Sequence, residues 1–279
     1  MVYNFSLPPL VLHAFQTGSA ETLLGWADNL ELPSGNVTFF NFLASHDGIG
    51  LNPLRGILPE EEIGAVVERV RSHGGLVSMK NEADGSQKPY ELNINYFDAL
   101  SDPSADEALE VQVDRFCTAH AILLAMRGVP AIYFHSLFGS RSWLEGAQAS
   151  GHNRTINRRK FQKEELEPIL SDPTTRPARI FRRLHKLLRS RQEHTAFHPH
   201  GSQEVVFGPP EVFALLRTSP DGKDKVLCLQ NVSNQNIEWE SDLSSGRWTY
   251  DLVEDRSITE SPSIYLMPYQ TLWLAEGKD

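Results

Sequence analysis

The sequence predicts an α/β protein that combines the C-terminal part of a (β/α)8 TIM barrel with an antiparallel β-sandwich-like domain. Up to about residue 195, apolar runs alternate with helical patterns, which favours a parallel sheet or a (β/α) barrel. From about residue 197, short apolar runs are separated by turn residues, which is typical of a small antiparallel β-domain. The predicted division is residues 1–195 for a partial barrel and residues 196–279 for the β-domain.

The first region contains three clear core strands, predicted over residues 2–5, 37–43 and 129–134. A complete barrel of this type uses about 250 residues and eight strands. Three βα units alone would expose an apolar sheet edge and an unfilled barrel interior. We therefore expect the chain to be the C-terminal portion of a larger enzyme, whose N-terminal barrel half is supplied by the rest of the complete protein.

Helical patterns lie between these strands. The segment 59–72 carries three glutamates in its first turn and Arg69 and Arg71 near its end, which matches the helix dipole. The other helices are predicted over 8–16, with prolines in the opening turn, and over 20–29, 105–127 and 176–193. Residues 80–88 are predicted to form a polar loop with a turn at Asp84-Gly85.

The β-domain is predicted from six short apolar runs and the turns between them. The strands are expected over 205–207, 212–217, 225–230, 236–239, 248–252 and 263–274, with turns that include Asp221-Gly222 and Ser245-Gly246. Trp239, Trp248 and Trp273 fit the core of this domain better than a platform for a sugar.

Charge and composition limit the partners. The formal net charge is −10, so nucleic acid and anionic membranes are poor partners. No apolar run reaches the ~18 residues of a membrane span. Cys117 and Cys228 lie far apart in different predicted elements, which indicates a reducing, cytoplasmic compartment. The sequence shows no metal-ligand spacing, and we expect neither a metal nor a cofactor.

The candidate site begins where the second strand stops. The apolar run over 37–43 is followed by His46, Asp47 and then two glycines. Asp47 can accept hydrogen bonds and His46 can donate one, which suits a polyhydroxylated ligand such as a sugar. The alternative is a plain Asp-Gly turn. Arg154 follows the third strand in a Gly- and Asn-rich loop, where a guanidinium can grip a phosphate or carboxylate.

Other charged and aromatic residues have structural interpretations. Arg158, Arg159 and Lys160 are predicted to form the solvated start of a charged helix, and the arginines of 176–193 form a polar helix face. His120 sits in an apolar helix and is predicted to be a hydrogen-bonded core residue. Tyr96 fits loop packing as well as a site.

Four motifs in order resemble the α-amylase superfamily, glycoside hydrolase family 13, and most closely its sucrose phosphorylase subfamily. They are His46-Asp47-Gly48-Ile49-Gly50, Tyr90-Glu91-Leu92-Asn93, Gly128-Val129-Pro130-Ala131-Ile132-Tyr133 and Asn153-Arg154-Thr155-Ile156-Asn157-Arg158. The longer forms Ser45 to Pro53 and Gly139-Ser140-Arg141 are most similar to the glucosylglycerate phosphorylase branch.

The resemblance implies roles for single residues. It implies that Asp47 is the third acidic residue, which holds the 2- and 3-hydroxyls of the glucosyl ring, and that His46 is the neighbouring sugar-binding histidine. Tyr90 and Glu91 match a mobile loop facing the acceptor, where sucrose phosphorylases carry Tyr-Gln, so Glu91 departs from the sucrose pattern. Arg154 matches an arginine that meets phosphate or the acceptor. Arg55, Lys80 or Arg141 could pair with a glycerate carboxylate.

The implied chemistry is a retaining double displacement from an α-glucoside to inorganic phosphate, which gives α-glucose 1-phosphate. The sequence contains neither the Gly-x-Arg-x-Asp pattern of the nucleophile nor a strand ending in the acid Glu, so we expect the chain to be inactive alone. Two alternatives stay open: an α-glucosidase or transglucosidase of the same superfamily, and a non-catalytic carbohydrate-binding fragment.

Overall fold

The computed structural model describes residues 1–32, 34–240, 248–259, 261 and 263–277. Its α-helices are α1 (Leu7–Thr17), α2 (Glu21–Asp28), α3 (Glu60–Ser72), α4 (Tyr96–Leu100), α5 (Leu109–Ala125), α6 (Leu144–Ser150), α7 (Lys163–Ser171) and α8 (Arg176–Glu193). Short 3₁₀ helices cover Asn52–Leu54, Phe134–Phe138, Asn153–Asn157 and Thr195–Phe197. The strands are β1 (Val2–Tyr3), β2 (Phe39–Phe42), β3 (Ile49–Gly50), β4 (Leu76–Asn81), β5 (Gln87–Asn93), β6 (Val129–Ala131), β7 (Ser202–Val205), β8 (Val212–Thr218), β9 (Lys225–Asn231), β10 (Ile237–Trp239), β11 (Trp248–Asp251), β12 (Arg256–Ser257), β13 (Ile264–Leu266) and β14 (Thr271–Glu276).

The three apolar runs of the first region form a parallel sheet in the order β1-β2-β6. Val2 lies opposite Phe39, and Phe40 lies opposite Val129. The third strand is shorter than predicted, because the chain turns into the 3₁₀ helix Phe134–Phe138 after β6 ends at Ala131. Parallel pairing brings the carboxyl ends of all three strands to one edge of the sheet.

The predicted helices form with small shifts at their ends. The prediction over 176–193 is confirmed by α8, which begins where the Thr175 side chain accepts a hydrogen bond from the Ala178 amide. In α3 the glutamates occupy the first turn and the arginines the last turn, as predicted. The helix predicted over 105–127 is shorter, because Ala108 and Met126 are not helical.

The prediction of a polar loop over residues 80–88 is confirmed for 82–86, which connect β4 and β5, and is wrong at its ends, because 80–81 and 87–88 belong to the antiparallel hairpin of these two strands. Lys80 lies opposite Lys88, and Gly85 has a positive φ of 83° in the predicted Asp84-Gly85 turn. The paired ends of both strands carry exposed polar side chains, so no apolar alternation marks them in the sequence. The strand β3 adds to this hairpin through β5.

Antiparallel strands dominate the second region. A six-stranded sheet runs in the order β12-β11-β14-β9-β8-β7, and β10 pairs separately with β13. The strand predicted over 263–274 is divided into β13 and β14, because the chain turns at Tyr269, whose φ is +53°. The predicted turn at Ser245-Gly246 lies outside the described residues.

Two clusters of apolar side chains pack on the six-stranded sheet. Phe213, Cys228 and Trp273 join the large cluster that also contains side chains of α1, α5 and α8. Trp239 and Trp248 belong to the second cluster, with side chains of β8, β9 and β14. The prediction that the three tryptophans are core residues is therefore confirmed.

Cys117 in α5 and Cys228 in β9 are both buried and unpaired, in different elements as predicted. Burial raises the pKa of each thiol to about 12. Among the described residues, no helix combines the length and the apolar character needed to cross a membrane.

Candidate active site

Asp47 lies in the turn that follows β2, at the carboxyl edge of the parallel sheet. Its amide donates to Oγ of Ser45 over 3.1 Å, and its Oδ1 lies 3.6 Å from Nε2 of the exposed His46. A Cβ at Gly48 would lie 2.4 Å from the Leu92 carbonyl oxygen and 2.6 Å from Cγ of Glu91. Only glycine at position 48 therefore lets β5 approach the turn.

Arg154 joins this turn to the hairpin. Its Nε donates to Oε1 of Glu91 over 3.1 Å, and one Nη donates to Oε2 over 2.7 Å. The other Nη lies 3.0 Å from Oδ1 of Asp47. These bonds, chiefly those to Glu91, raise the pKa of Arg154. The structure thus brings together four of the sequence-predicted residues: His46, Asp47, Glu91 and Arg154.

Glu91 is buried at the turn-facing side of β5, with 8% of its side chain exposed. Tyr90 precedes it, is half-buried, and accepts a hydrogen bond from the Leu51 amide with its backbone carbonyl. The negative charge of Glu91 is compensated by Arg154, as a buried carboxylate requires.

The sequence analysis missed Arg158. The prediction that it opens a charged helix is wrong, because residues 158–162 are not helical and α7 begins at Lys163. Instead, Nη2 of Arg158 donates to Oδ1 of Asp47 over 3.0 Å, and its Nε donates to the His46 carbonyl over 2.8 Å. Its place in the Asn153–Arg158 motif, shared with Arg154, is the signal that could have revealed it.

Asn157 and Tyr133 also support the turn and were not singled out as site residues. The Asn157 amide Nδ2 donates to the Asp47 backbone carbonyl over 3.0 Å, and the Tyr133 hydroxyl donates to the Asn157 carbonyl over 2.7 Å. Burial raises the pKa of Tyr133, and the charge of Asp47 adds to this effect while Arg158 opposes it. Tyr133 follows β6, so the ends of two neighbouring strands meet through Asn157.

The cations considered for a glycerate carboxylate each have an acidic neighbour. Arg55 donates to Glu60 over 2.5 Å, and Lys80 lies 3.9 Å from Glu82. Arg141 donates to Asp98 over 2.7 Å. Of the three cations, Lys80 has the longest ion pair and the most exposed side chain.

Several residues that the sequence assigns to structural roles make structural contacts. His120 is buried and its Nδ1 lies 2.9 Å from the Phe116 carbonyl, so its prediction as a core residue is confirmed. Burial lowers the pKa of His120 to about 4. Tyr96 is buried and donates to the Pro8 carbonyl over 2.9 Å. On α8, Arg179 and Arg183 pair with acidic residues of α5, as suits a polar helix face.

Comparison with known proteins gives sequence relatives over nearly the whole chain. The chain is 43% identical over 274 residues to a glucosylglycerate phosphorylase of Escherichia coli (strain K12), covering 98% of this chain and 48% of that protein. It is 44% identical over 279 residues to a glucosylglycerate phosphorylase of Allomeiothermus silvanus, covering 99% and 47%. A sucrose phosphorylase of Agrobacterium vitis is 32% identical over 213 residues, covering 73% and 39%. The chain therefore spans about half the length, or less, of these relatives. No protein-family model matches it.

Solved structures show the fold. A sucrose 6F-phosphate phosphorylase from Thermoanaerobacter thermosaccharolyticum superimposes with a TM-score of 0.68 at 23% identity, covering 86% of this chain and 45% of that one. An α-amylase from H. orenii superimposes with a TM-score of 0.59 at 16% identity, covering 99% and 48%. The chain thus shares the fold of corresponding parts of α-amylase-like proteins.

Proposed function

We propose, from the premise that the chain belongs to glycoside hydrolase family 13 and is related to its sucrose phosphorylase subfamily, that it is part of a retaining α-glucoside phosphorylase. Such an enzyme transfers a glucosyl group to phosphate and gives α-glucose 1-phosphate. The names of the relatives support a phosphorylase. The identity of 43–44% to glucosylglycerate phosphorylases, against 32% to a sucrose phosphorylase, favours glucosylglycerate as the substrate.

The observation that carries the proposal is the position of the Asp47 carboxylate between Arg154 and Arg158, each 3.0 Å away, at the carboxyl edge of the parallel sheet. Guanidinium groups donate strong, charge-assisted hydrogen bonds to a carboxylate. An ionised carboxylate can accept hydrogen bonds from two sugar hydroxyls and stabilise the positive charge of an oxocarbenium-like transition state. His46, exposed beside it, is placed to donate a further hydrogen bond to the sugar.

The remaining parts of the reaction need residues from outside this chain. Retaining transfer requires a carboxylate nucleophile and a general acid in addition to Asp47. Both carboxylate oxygens of Glu91 accept hydrogen bonds from Arg154. Glu145 lies in the first turn of α6 rather than at the end of a strand. We therefore propose that the nucleophile and the acid belong to the N-terminal half of the barrel, and that this chain alone is inactive.

The three-stranded parallel sheet supports the proposal that this chain forms part of a barrel. Among the described strands, β1 and β6 each pair on one side only, through β2. Tyr3 in β1 and Phe5 just after it are 61% and 57% exposed, and their rings contact those of Phe40 and Phe42, respectively. Exposed aromatic clusters of this kind mark a contact surface. We propose that these three strands are the last of a (β/α)8 barrel and that the earlier strands cover this surface.

A cytoplasmic location, and the absence of nucleic-acid and membrane partners, remain predictions. The acidic net charge of −10 supports the absence of nucleic-acid and membrane partners, because it disfavours both kinds of anionic surface.

A replacement chimera tests the function. This chain replaces the matched segment of the E. coli glucosylglycerate phosphorylase, and release of α-glucose 1-phosphate is measured with glucosylglycerate and with sucrose. We expect phosphate-dependent turnover that is faster with glucosylglycerate. Release of free glucose at the same rate without phosphate would indicate a hydrolase. Binding of glucosides by a well-folded chimera without any turnover would instead indicate a carbohydrate-binding fragment.

A further inference from the structure

We propose that Tyr133 and Asn157 form a positioning pair for Asp47: the Tyr133 hydroxyl fixes Asn157, and Asn157 fixes the backbone of the turn that carries the carboxylate. The proposal rests on the proposed function, because it assigns these residues to the same site. Neither residue touches the glucosyl ring in this scheme, so both act through Asp47.

The turn around Asp47 needs such support. The Asp47 side chain is 36% exposed, so burial alone does not fix it. Its own local bond, from the Asp47 amide to Ser45, spans only two residues. The carbonyls of His46 and Asp47 accept hydrogen bonds from Arg158 and Asn157, respectively, two consecutive residues from another part of the chain. The position of the turn therefore depends on the position of residues 157 and 158.

Asn157 is suited to hold that position. It is 4% exposed, and its Nδ2 meets the Asp47 carbonyl oxygen, which can only accept. The side-chain amide of Asn157 is therefore oriented with Nδ2, and not Oδ1, toward the Asp47 carbonyl. Asn157 also ends the 3₁₀ helix that carries Arg154, and Arg158 follows it directly. Anchoring Asn157 thus sets the place of both guanidinium groups relative to Asp47.

Tyr133 connects this anchor to the sheet. It lies two residues after β6, and its hydroxyl bond to the Asn157 carbonyl, at 2.7 Å, spans 24 residues of sequence. The strand β6 pairs with β2, which leads into the Asp47 turn. Two hydrogen bonds, from Tyr133 to Asn157 and from Asn157 to Asp47, therefore connect the end of β6 to the turn that follows the neighbouring strand β2. Displacements of about 1 Å in a catalytic group cost up to about 10²-fold in rate, so this connection bears on catalysis.

The kinetic test uses Tyr133→Phe and Asn157→Asp in the replacement chimera. Each variant is nearly isosteric and removes one hydrogen bond: Tyr133→Phe removes the bond to the Asn157 carbonyl, and Asn157→Asp removes the bond to the Asp47 carbonyl. We expect kcat to fall about tenfold while KM for glucosylglycerate changes less than about twofold, because a misplaced Asp47 weakens the transition state more than ground-state binding. The double variant should lose little more than the more damaging single variant, because both act on one path.

Tyr96→Phe is the matched control. Tyr96 also donates its hydroxyl to a backbone carbonyl, that of Pro8, over 2.9 Å, and it is more deeply buried than Tyr133. This variant should lower the free energy of unfolding and leave kcat unchanged. An unchanged kcat in Tyr133→Phe, an equal fall in Tyr96→Phe, or additive losses in the double variant would overturn the proposal.

A second measurement uses this chain itself. Hydrogen–deuterium exchange of the amides at 45–48 is compared between the wild type, Tyr133→Phe and Tyr96→Phe under conditions where all three are folded. We expect faster exchange only in Tyr133→Phe. Equal exchange in all three would contradict the positioning pair. An inactive wild-type chimera would contradict the proposed function, and the exchange experiment would still decide the role of Tyr133.

Discussion

The guanidinium of Arg158 lies 3.0 Å from Oδ1 of Asp47, although 111 positions separate the two residues in the sequence. With Arg154 at the same distance from the same oxygen, Asp47 has two cationic neighbours at an exposed edge of the parallel sheet. This arrangement gives the candidate site its chemistry.

Asp47→Asn in the replacement chimera should lower kcat by at least about 10²-fold, which corresponds to about 2.7 kcal/mol in the barrier. The amide keeps the shape but removes the negative charge that faces the developing oxocarbenium ion. Steady-state kinetics with glucosylglycerate and phosphate measure the loss. Asp84→Asn, in the exposed hairpin turn, is the control and should leave kcat unchanged. Unimpaired turnover of Asp47→Asn would remove Asp47 from the mechanism.

Arg158→Lys should reduce kcat/KM by about tenfold or more, because an ammonium group cannot reproduce the two directed bonds to Asp47 and the His46 carbonyl. Arg159→Lys is the neighbouring control, since the Arg159 guanidinium contacts the ring of Phe161. Similar kinetics for both variants would show that Arg158 contributes only general charge.

Glu91→Gln should destabilise this chain by about 1–2 kcal/mol, because it leaves Arg154 without its bidentate carboxylate. The loss is smaller than for a fully buried pair, because the Arg154 side chain is 43% exposed and solvent screens the interaction. Urea denaturation measures the free energy of unfolding. Glu68→Gln, which breaks an exposed pair with Arg71, should change it by less than about 0.5 kcal/mol. Equal effects of the two substitutions would argue against a special role for the Glu91–Arg154 pair.

Much of the fold and part of the candidate site could be expected from the sequence. The resemblance to glycoside hydrolase family 13 is confirmed by the relatives. The strand before Asp47 and the helix α8 follow from local apolar patterns, which depend on neighbouring residues. Asp47 lies beside both His46 and Arg154, and the assignment of these three residues to a glucosyl-binding site stays a prediction.

The parts that sequence reasoning missed depend on distant contacts. Arg158 looks like any surface arginine until Asp47 is placed beside it, and Asn157 is informative only through its bond to the Asp47 carbonyl. The end of the hairpin next to its turn is held by backbone pairing between polar residues such as Lys80 and Lys88, so this part of β4 and β5 leaves no apolar signal.

Acid should destabilise the chain in part through His120. Its pKa is lowered by burial to about 4, against 6.5 for an exposed histidine, so the unfolded state binds the proton more tightly. Stability from this group is fully present above about pH 6.5 and is lost as pH falls toward 4. The loss between pH 7 and pH 5 is about 2 kcal/mol. Urea denaturation at several pH values should show a flatter profile for His120→Phe. An unchanged profile would mean that other groups dominate.

Thiol reactivity should report the folding of this chain. Cys117 and Cys228 are buried, and the pKa of each is raised to about 12, so neither offers a thiolate at neutral pH. We expect a disulfide reagent such as DTNB to react slowly with the native chain and fast with both thiols in urea. Rapid reaction of either thiol without denaturant would show that the surrounding core opens readily.

The carboxylates of Asp47 and Glu91 and the guanidinium groups of Arg154 and Arg158 sum to no net charge, within a chain that is acidic as a whole. These four side chains therefore exert no net long-range attraction on an incoming anion. The anion can pair with Arg154 or Arg158 only by displacing a carboxylate that is already bound there. Selection among ligands then happens at contact, where hydroxyl geometry can be compared, and not during the diffusive approach.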